Sequence, residues 1–281
     1  MADPATLRRR LRTELRRARA NAGMTQREVA DALDWSPSKV LRIEGGQVAV
    51  STTDLKALLY LYKISDDDLV AKLTSIARQS KQHSWSRYRD VISADTADYF
   101  GYEASSSIIR SFEPLIVPGL LQTVGYTQAL LGLAYHLDES TVGRHIEARQ
   151  ERQELFDRET PPETFFILGE AVIRQFVGGP RVMREQLRRL VDLCVGPVTS
   201  IQVLPFTSNA HVGLRGPFTL LEFPEDGPPD ILHLETHSHY PSFDDQQTNQ
   251  YLNYFWDLES TALDRDMSRE LIAATLTSLG P

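Results

Sequence analysis

Apolar residues recur every three or four positions through the first eighty residues, and in short β-branched or aromatic runs after residue 160. Leu7, Leu11, Leu15 and Ala18 share one face of a helix over residues 7–20. Thr25, with Glu28 three residues on, has the form of a capping box, and Val29, Ala30 and Leu33 give the stripe of a short second helix. Ser36 followed by Pro37 starts a third, because a proline at the first helical position gives up no hydrogen bond. Val40, Leu41 and Ile43 read as its buried side and Gly45–Gly46 as its end. Thr52 or Thr53 opens a fourth helix through Leu55, Leu58, Leu59 and Tyr62. Ser65 with Asp66, Asp67 and Asp68 opens a fifth, the acids suiting the positive helix end. Five short helices in about eighty residues predict a compact all-α bundle over 1–80.

Residues 81–95 are polar and basic and read as a linker or connecting helix. Beyond them the pattern changes. Residues 164–168, 199–206, 217–223 and 230–235 are β-branched or aromatic-rich runs bounded by proline and glycine, which predicts strands. Residues 143–156, 180–194, 244–263 and 267–279 have helical spacing. The mixture predicts an α+β domain over 96–281, with a mixed sheet and several helices.

Charge sharpens this division. The net charge is −8, yet residues 1–90 hold 17 Lys+Arg against 11 Asp+Glu, a surplus of +6, so the remainder carries −14. Seven arginines lie between Arg8 and Arg19, and all five lysines fall at or before Lys81. Such asymmetry fits a first segment that meets a polyanion and a second that would repel one. No apolar run reaches the roughly 18–20 residues of a membrane helix, and the arginine-rich N-terminus lacks the apolar core of a secretory signal. The single cysteine, Cys194, rules out an internal disulfide and reads as a small buried hydrophobe in LVDLCV. These features predict a protein of the reducing cytoplasm, associated with the nucleoid when on DNA.

The stretch from Gly23 to Gln47 is the most informative. A major groove admits one α-helix, whose N-terminal residues reach base edges. The third helix offers Ser36, Pro37, Ser38, Lys39 and Arg42 there, with Arg42 suited to a guanine edge. Gln26 opens the preceding helix, where it can fix a phosphate; Arg27, Ser51 and Thr52 complete the candidate DNA contacts. Gly23, Thr25, Gln26, Ala30, Ile43, Glu44 and Gly46 match the pattern of Xre/Cro-type helix-turn-helix proteins, which this segment resembles over about residues 7–75. The resemblance implies a lambda-repressor-like five-helix fold and an internal ion pair between Arg19 and Glu44.

Further phrases extend the likeness: SIIRSFEP (107–114), LIVPGLLQT (115–123), EARQERQELF (147–156), GGPRVMREQLRRLVDL (178–193), IQVLPF (201–206) and GPFTLLEFP (216–224). With the N-terminal segment, they make the chain similar to the actinomycete WhiJ-like, antitoxin-type transcriptional regulators. That resemblance implies operator binding, and a C-terminal domain that binds a small BldB-like protein encoded nearby. A homodimer is expected because one small helix-turn-helix buries little DNA surface. A small-molecule pocket in the second domain is the alternative input, with Phe165, Phe166, Phe206, Phe218 and Tyr240 as candidate lining. His233, His237 and His239 invite a metal reading, but without a fixed carboxylate partner they read as strand and turn residues. Nucleophile-elbow, Walker, HExxH and dinucleotide motifs are missing, so the sequence reads as no enzyme, with no cofactor and no metal. Pro118–Gly119 reads as a turn leading Leu120 and Leu121 into the core, or else as an exposed partner surface.

Overall fold

The computed structural model describes residues 3–45, 48, 50–80, 85–133, 137–224, 228–234, 241–242 and 244–280. The chain divides into two units, one of residues 1–87, 97–105 and 225–228, the other of 88–96, 106–224 and 229–281.

The first unit is built on helices α1 (Pro4–Asn21), α2 (Gln26–Ala32), α3 (Pro37–Gly45), α4 (Thr52–Leu61) and α5 (Asp67–Gln79). Side chains of Asp3, Thr25, Ser51 and Asp66 accept from first-turn N–H groups and so fix where four of these helices begin. The fifth helix is therefore capped by Asp66, one residue beyond the expected Ser65. Leu7, Leu11 and Leu15 of α1 pack with Val29, Val40, Ile43, Leu55, Leu58, Leu59, Leu73 and Ile76 in one core. Each such burial stabilises the unit by roughly 1.5–3 kcal/mol. Leu41 departs from its expected place: it is 57 % exposed. The inward positions of α3 are Val40, Ile43 and Glu44, spaced three and four apart, and a residue directly after Val40 is turned away from them.

The expected division at residues 81–95 also shifts. A short 3-10 turn occupies Ser86–Tyr88, and residues 81–84 lie outside the described residues. Helix α6 (Ala94–Glu103) follows, and its part from residue 97 onward belongs to the first unit. Gly101 allows this: a Cβ there would collide with the Asp3 carboxylate and lie 2.9 Å from the Ala5 Cβ.

The second unit runs β1 (Ile108–Glu113), α7 (Val124–Leu131), α8 (Glu139–Gln153), β2 (Glu163–Gly169), α9 (Glu170–Arg174), α10 (Gly179–Leu193) and β3 (Thr199–Leu204). It continues through β4 (Phe218–Glu222), β5 (Ile231–Leu234), β6 (Pro241–Ser242), α11 (Asp245–Thr261) and α12 (Arg265–Ser278). The strands form one mixed sheet in the order β3-β2-β1-β4-β5-β6. β1, β2 and β3 run parallel, and β4, β5 and β6 add antiparallel strands beyond β1. Parallel neighbours need long crossovers, and α7–α8 and α9–α10 are these crossovers. Phe112, Ile167, Leu204, Phe218, Leu220 and Leu232 pack one face of the sheet against Phe255 and Leu258 of α11.

The four runs read as strands are β2 to β5. The central strand β1 carries Arg110 and Glu113 and does not look like a strand by composition. Its polar groups are matched across the sheet: Arg110 Nε lies 2.6 Å from Glu222 Oε1 of β4, and the Ser111 hydroxyl lies 3.2 Å from that of Thr219. Among the described residues, the suggested aromatics do not line one pocket. Phe218 and Phe166 are buried in packing on alternate sides, Phe206 is 68 % exposed, and Tyr240 lies outside the described residues. Residues Gly119–Leu121 make a 3-10 turn that buries Leu120 and Leu121. Cys194 is the C-cap residue of α10, where burial pushes its thiol up to about 11, partly opposed by Arg265 and Arg269. His233 is buried on β5 opposite Thr219; His237 and His239 lie outside the described residues.

Candidate nucleic-acid interface

Helices α2 and α3 are set by local chemistry. The Glu28 N–H donates to Thr25 Oγ1 at 3.3 Å, and the Thr25 N–H donates to Glu28 Oε2 at 2.7 Å. The Thr25 N–H, and with it the Thr25 hydroxyl donating to Glu28 Oε2 at 2.8 Å, hold the Glu28 carboxyl below the usual carboxylate range. At the turn Asp34 takes φ 54°, a left-handed conformation that a short polar side chain tolerates, and the Trp35 N–H donates to Ala30 O at 2.9 Å. Ser36 then accepts the Lys39 N–H on its hydroxyl at 3.3 Å, with Pro37 in the first position.

The inner side of α3 carries a polar anchor. Glu44 is 2 % exposed. Its Oε1 accepts from Arg19 Nε at 2.7 Å, and its Oε2 accepts from Arg19 Nη2 at 3.1 Å and from Gln26 Nε2 at 2.8 Å. Arg19 Nη1 also donates to the Met24 carbonyl at 2.8 Å. A two-pronged guanidinium–carboxylate pair thus ties the end of α1 to α3, and Gln26 ties in α2. The Glu44 hydrogen bond raises the Arg19 value further. Tyr62 stands beside the pair, and burial, with Glu44 adding to it, pushes its phenol up to about 12. Gln26, read as a phosphate contact, gives one amide hydrogen to Glu44, and its amide carries a second donor.

On the outer side, Ser38, Leu41 and Arg42 are exposed on α3. Arg42 Nε donates to Ser38 O at 3.3 Å, and its terminal nitrogens have no partner among the described residues. Lys39, a candidate DNA contact, is engaged within the unit. Its Nζ sits 2.7 Å from Asp54 Oδ1 and 3.7 Å from the centre of the Trp35 ring, which turns it toward α4. Arg27 is exposed on α2. Ser51 caps α4 by accepting the Asp54 N–H at 3.0 Å, and Thr52 is its first residue, so both stand at the positive end of that helix. Gly46 and Gln47 lie outside the described residues. Sequence reading missed the exposed Leu41, because an apolar residue in an amphipathic helix is assigned inward unless its neighbours' spacing is weighed.

Comparison with known proteins finds two family models that match the chain. A helix-turn-helix domain model matches residues 10–73. A second model, Domain of unknown function (DUF5753), matches residues 96–274, more than half of the chain. No curated protein and no solved structure matches it. No helix among the described residues is long and apolar enough to cross a membrane. The chain therefore belongs to the DUF5753 family, with a helix-turn-helix domain, of the kind found in DNA-binding regulators, ahead of its domain of unknown function.

Proposed function

We propose that the protein is a sequence-specific transcriptional regulator that lays α3 in the major groove of operator DNA. The observation that carries this is the two-sided character of α3. Its inner residue Glu44 is locked to Arg19 and Gln26, and its outer side presents Ser38, Leu41 and Arg42. Arg42 supplies the paired donors that match guanine O6 and N7, and Leu41 supplies an apolar surface for a thymine methyl. The hydroxyls of Ser36 and Ser38 serve bases or phosphates. Gln26, with its second amide donor, and the N-terminus of α4 at Ser51 and Thr52 grip phosphates on either side. Lys39, held by Asp54 and Trp35, supports the turn and adds positive field. The five helices take the roles of a lambda-repressor-like module, and a homodimer reads two half-sites about one helical turn apart.

The DUF5753 domain is the input domain in this reading, and the protein performs no catalysis. The sequence likeness to WhiJ-like, antitoxin-type regulators supports a small BldB-like protein as the signal. A small-molecule signal is the second reading, favoured by a cavity described below. An electrophoretic shift assay with the gene's own upstream region tests the DNA-binding claim. Retardation at 50 mM salt that weakens steeply by 200 mM is expected, from the release of counterions at several phosphates. Folded protein that retards no such fragment at low salt would count against it.

A further inference from the structure

The crossovers of the parallel strands gather α7, α8 and α10 around residues 117–123, and a cavity of about 210 Å³ opens there. Gln122, Thr127, Gln150 and Gln153 line it, together with Arg149 of α8 and Arg189 of α10; the lining includes no Asp or Glu. Its walls are fixed by side chains that reach into backbone. Gln122 is 3 % exposed. Its Nε2 donates to Val117 O at 2.7 Å, and its Oε1 accepts from Thr127 Oγ1 at 3.0 Å and from Arg149 Nη1. Gln153 Nε2 donates to the carbonyls of Gly119 and Gln122, both at 2.9 Å. Its Oε1 accepts from Arg189 Nη2 at 3.1 Å, and Arg189 Nε donates to Leu121 O at 3.1 Å.

Arg189 is thus held by neutral oxygens. Its Nη1 makes no hydrogen bond among the described residues. Burial pulls its guanidinium below the ordinary value, and Asp157 opposes this only in part. A half-buried cation whose hydrogen bonds go to neutral oxygens gains when an anion arrives, and a site already ordered loses little freedom in the process. Arginine favours oxyanions, whose geometry matches its fork.

We propose that this cavity binds a small oxyanion, the carboxylate or phosphate of a compact ligand, between Arg189 and Arg149. The volume falls below the roughly 300–1,000 Å³ of pockets for drug-sized ligands, which excludes a nucleotide or a peptide segment. The binding stands independently of the DNA-reading role of α3.

Calorimetric titration of the full chain with inorganic phosphate and, separately, with glycolate tests it, in an amine buffer with chloride at matched ionic strength. One saturable site with a dissociation constant below about 1 mM is expected for at least one of the two, and which one binds identifies the head group. Arg189→Gln should weaken binding at least tenfold. Gln150→Glu, an exposed substitution at the rim, should weaken it similarly and decides the matter if the first variant fails to fold. Arg181→Gln, 89 % exposed on α10 and outside the cavity, should leave affinity unchanged. Saturation by neither ion, or equal weakening by Arg181→Gln and Gln150→Glu, overturns the proposal.

Discussion

Replacing Glu44 with alanine is expected to destabilise the helical unit by about 3 kcal/mol, the lower end of what breaking a buried ion pair costs. The lower end applies because Arg19 keeps 20 % of its side chain exposed and can regain some hydration. The substitution strips three hydrogen bonds at once, two from Arg19 and one from Gln26. A partly buried guanidinium is then left with the Met24 carbonyl as its remaining described partner. Glu44→Gln keeps the volume and one acceptor, and should cost about half as much. Urea unfolding followed by hydrogen exchange in peptides from α1 to α4 measures both. A loss under about 1 kcal/mol for the alanine variant would show that the pair is not what ties α1 to α3. The variant also frees Gln26, so DNA affinity should fall beyond the loss attributable to unfolding.

Phe255→Ala should cost the second unit about 3–5 kcal/mol, the range for deleting a buried aromatic ring. Phe255 is fully buried, and its ring meets Phe218 edge to face with centroids 6.4 Å apart. The Arg110 guanidinium stands 5.7 Å from its centre. The deletion opens a cavity under β4 and removes one side of the packing around the Arg110–Glu222 pair. Hydrogen exchange should accelerate in peptides from β1, β4 and β5. Protection unchanged in these strands would mean that α11 does not secure the sheet.

These two sites also mark what was legible in the sequence. The helices of the first unit were legible because their signals are local: Thr25 with Glu28, Ser36 with Pro37, and acids at the start of α5 all act within one turn. Strands β2 to β5 were legible because β-branched and aromatic residues mark them out between proline and glycine. β1 was not, since the partner that neutralises Arg110 lies 112 residues away. The same reason hides the place of Lys39, whose partner Asp54 comes from the next helix, and the place of α6, which depends on the absence of a side chain at Gly101. Leu41 was misplaced by composition, although the spacing of Val40, Ile43 and Glu44 already turns it outward. The arginine cavity was illegible because α7, α8 and α10 meet there only once the crossovers are wound.

The central claim is that the outer side of α3 reads bases. Competition binding of single-base operator variants to the wild type and to Arg42→Ala tests it most directly. The account predicts that Arg42→Ala loses about 1–3 kcal/mol of discrimination, roughly 5- to 150-fold, at one guanine in each half-site and keeps its preferences elsewhere. Arg27→Ala, as the control, should weaken all operators alike and lower the salt slope by about one. An Arg42→Ala protein that binds with the wild-type preference at every position would contradict the account.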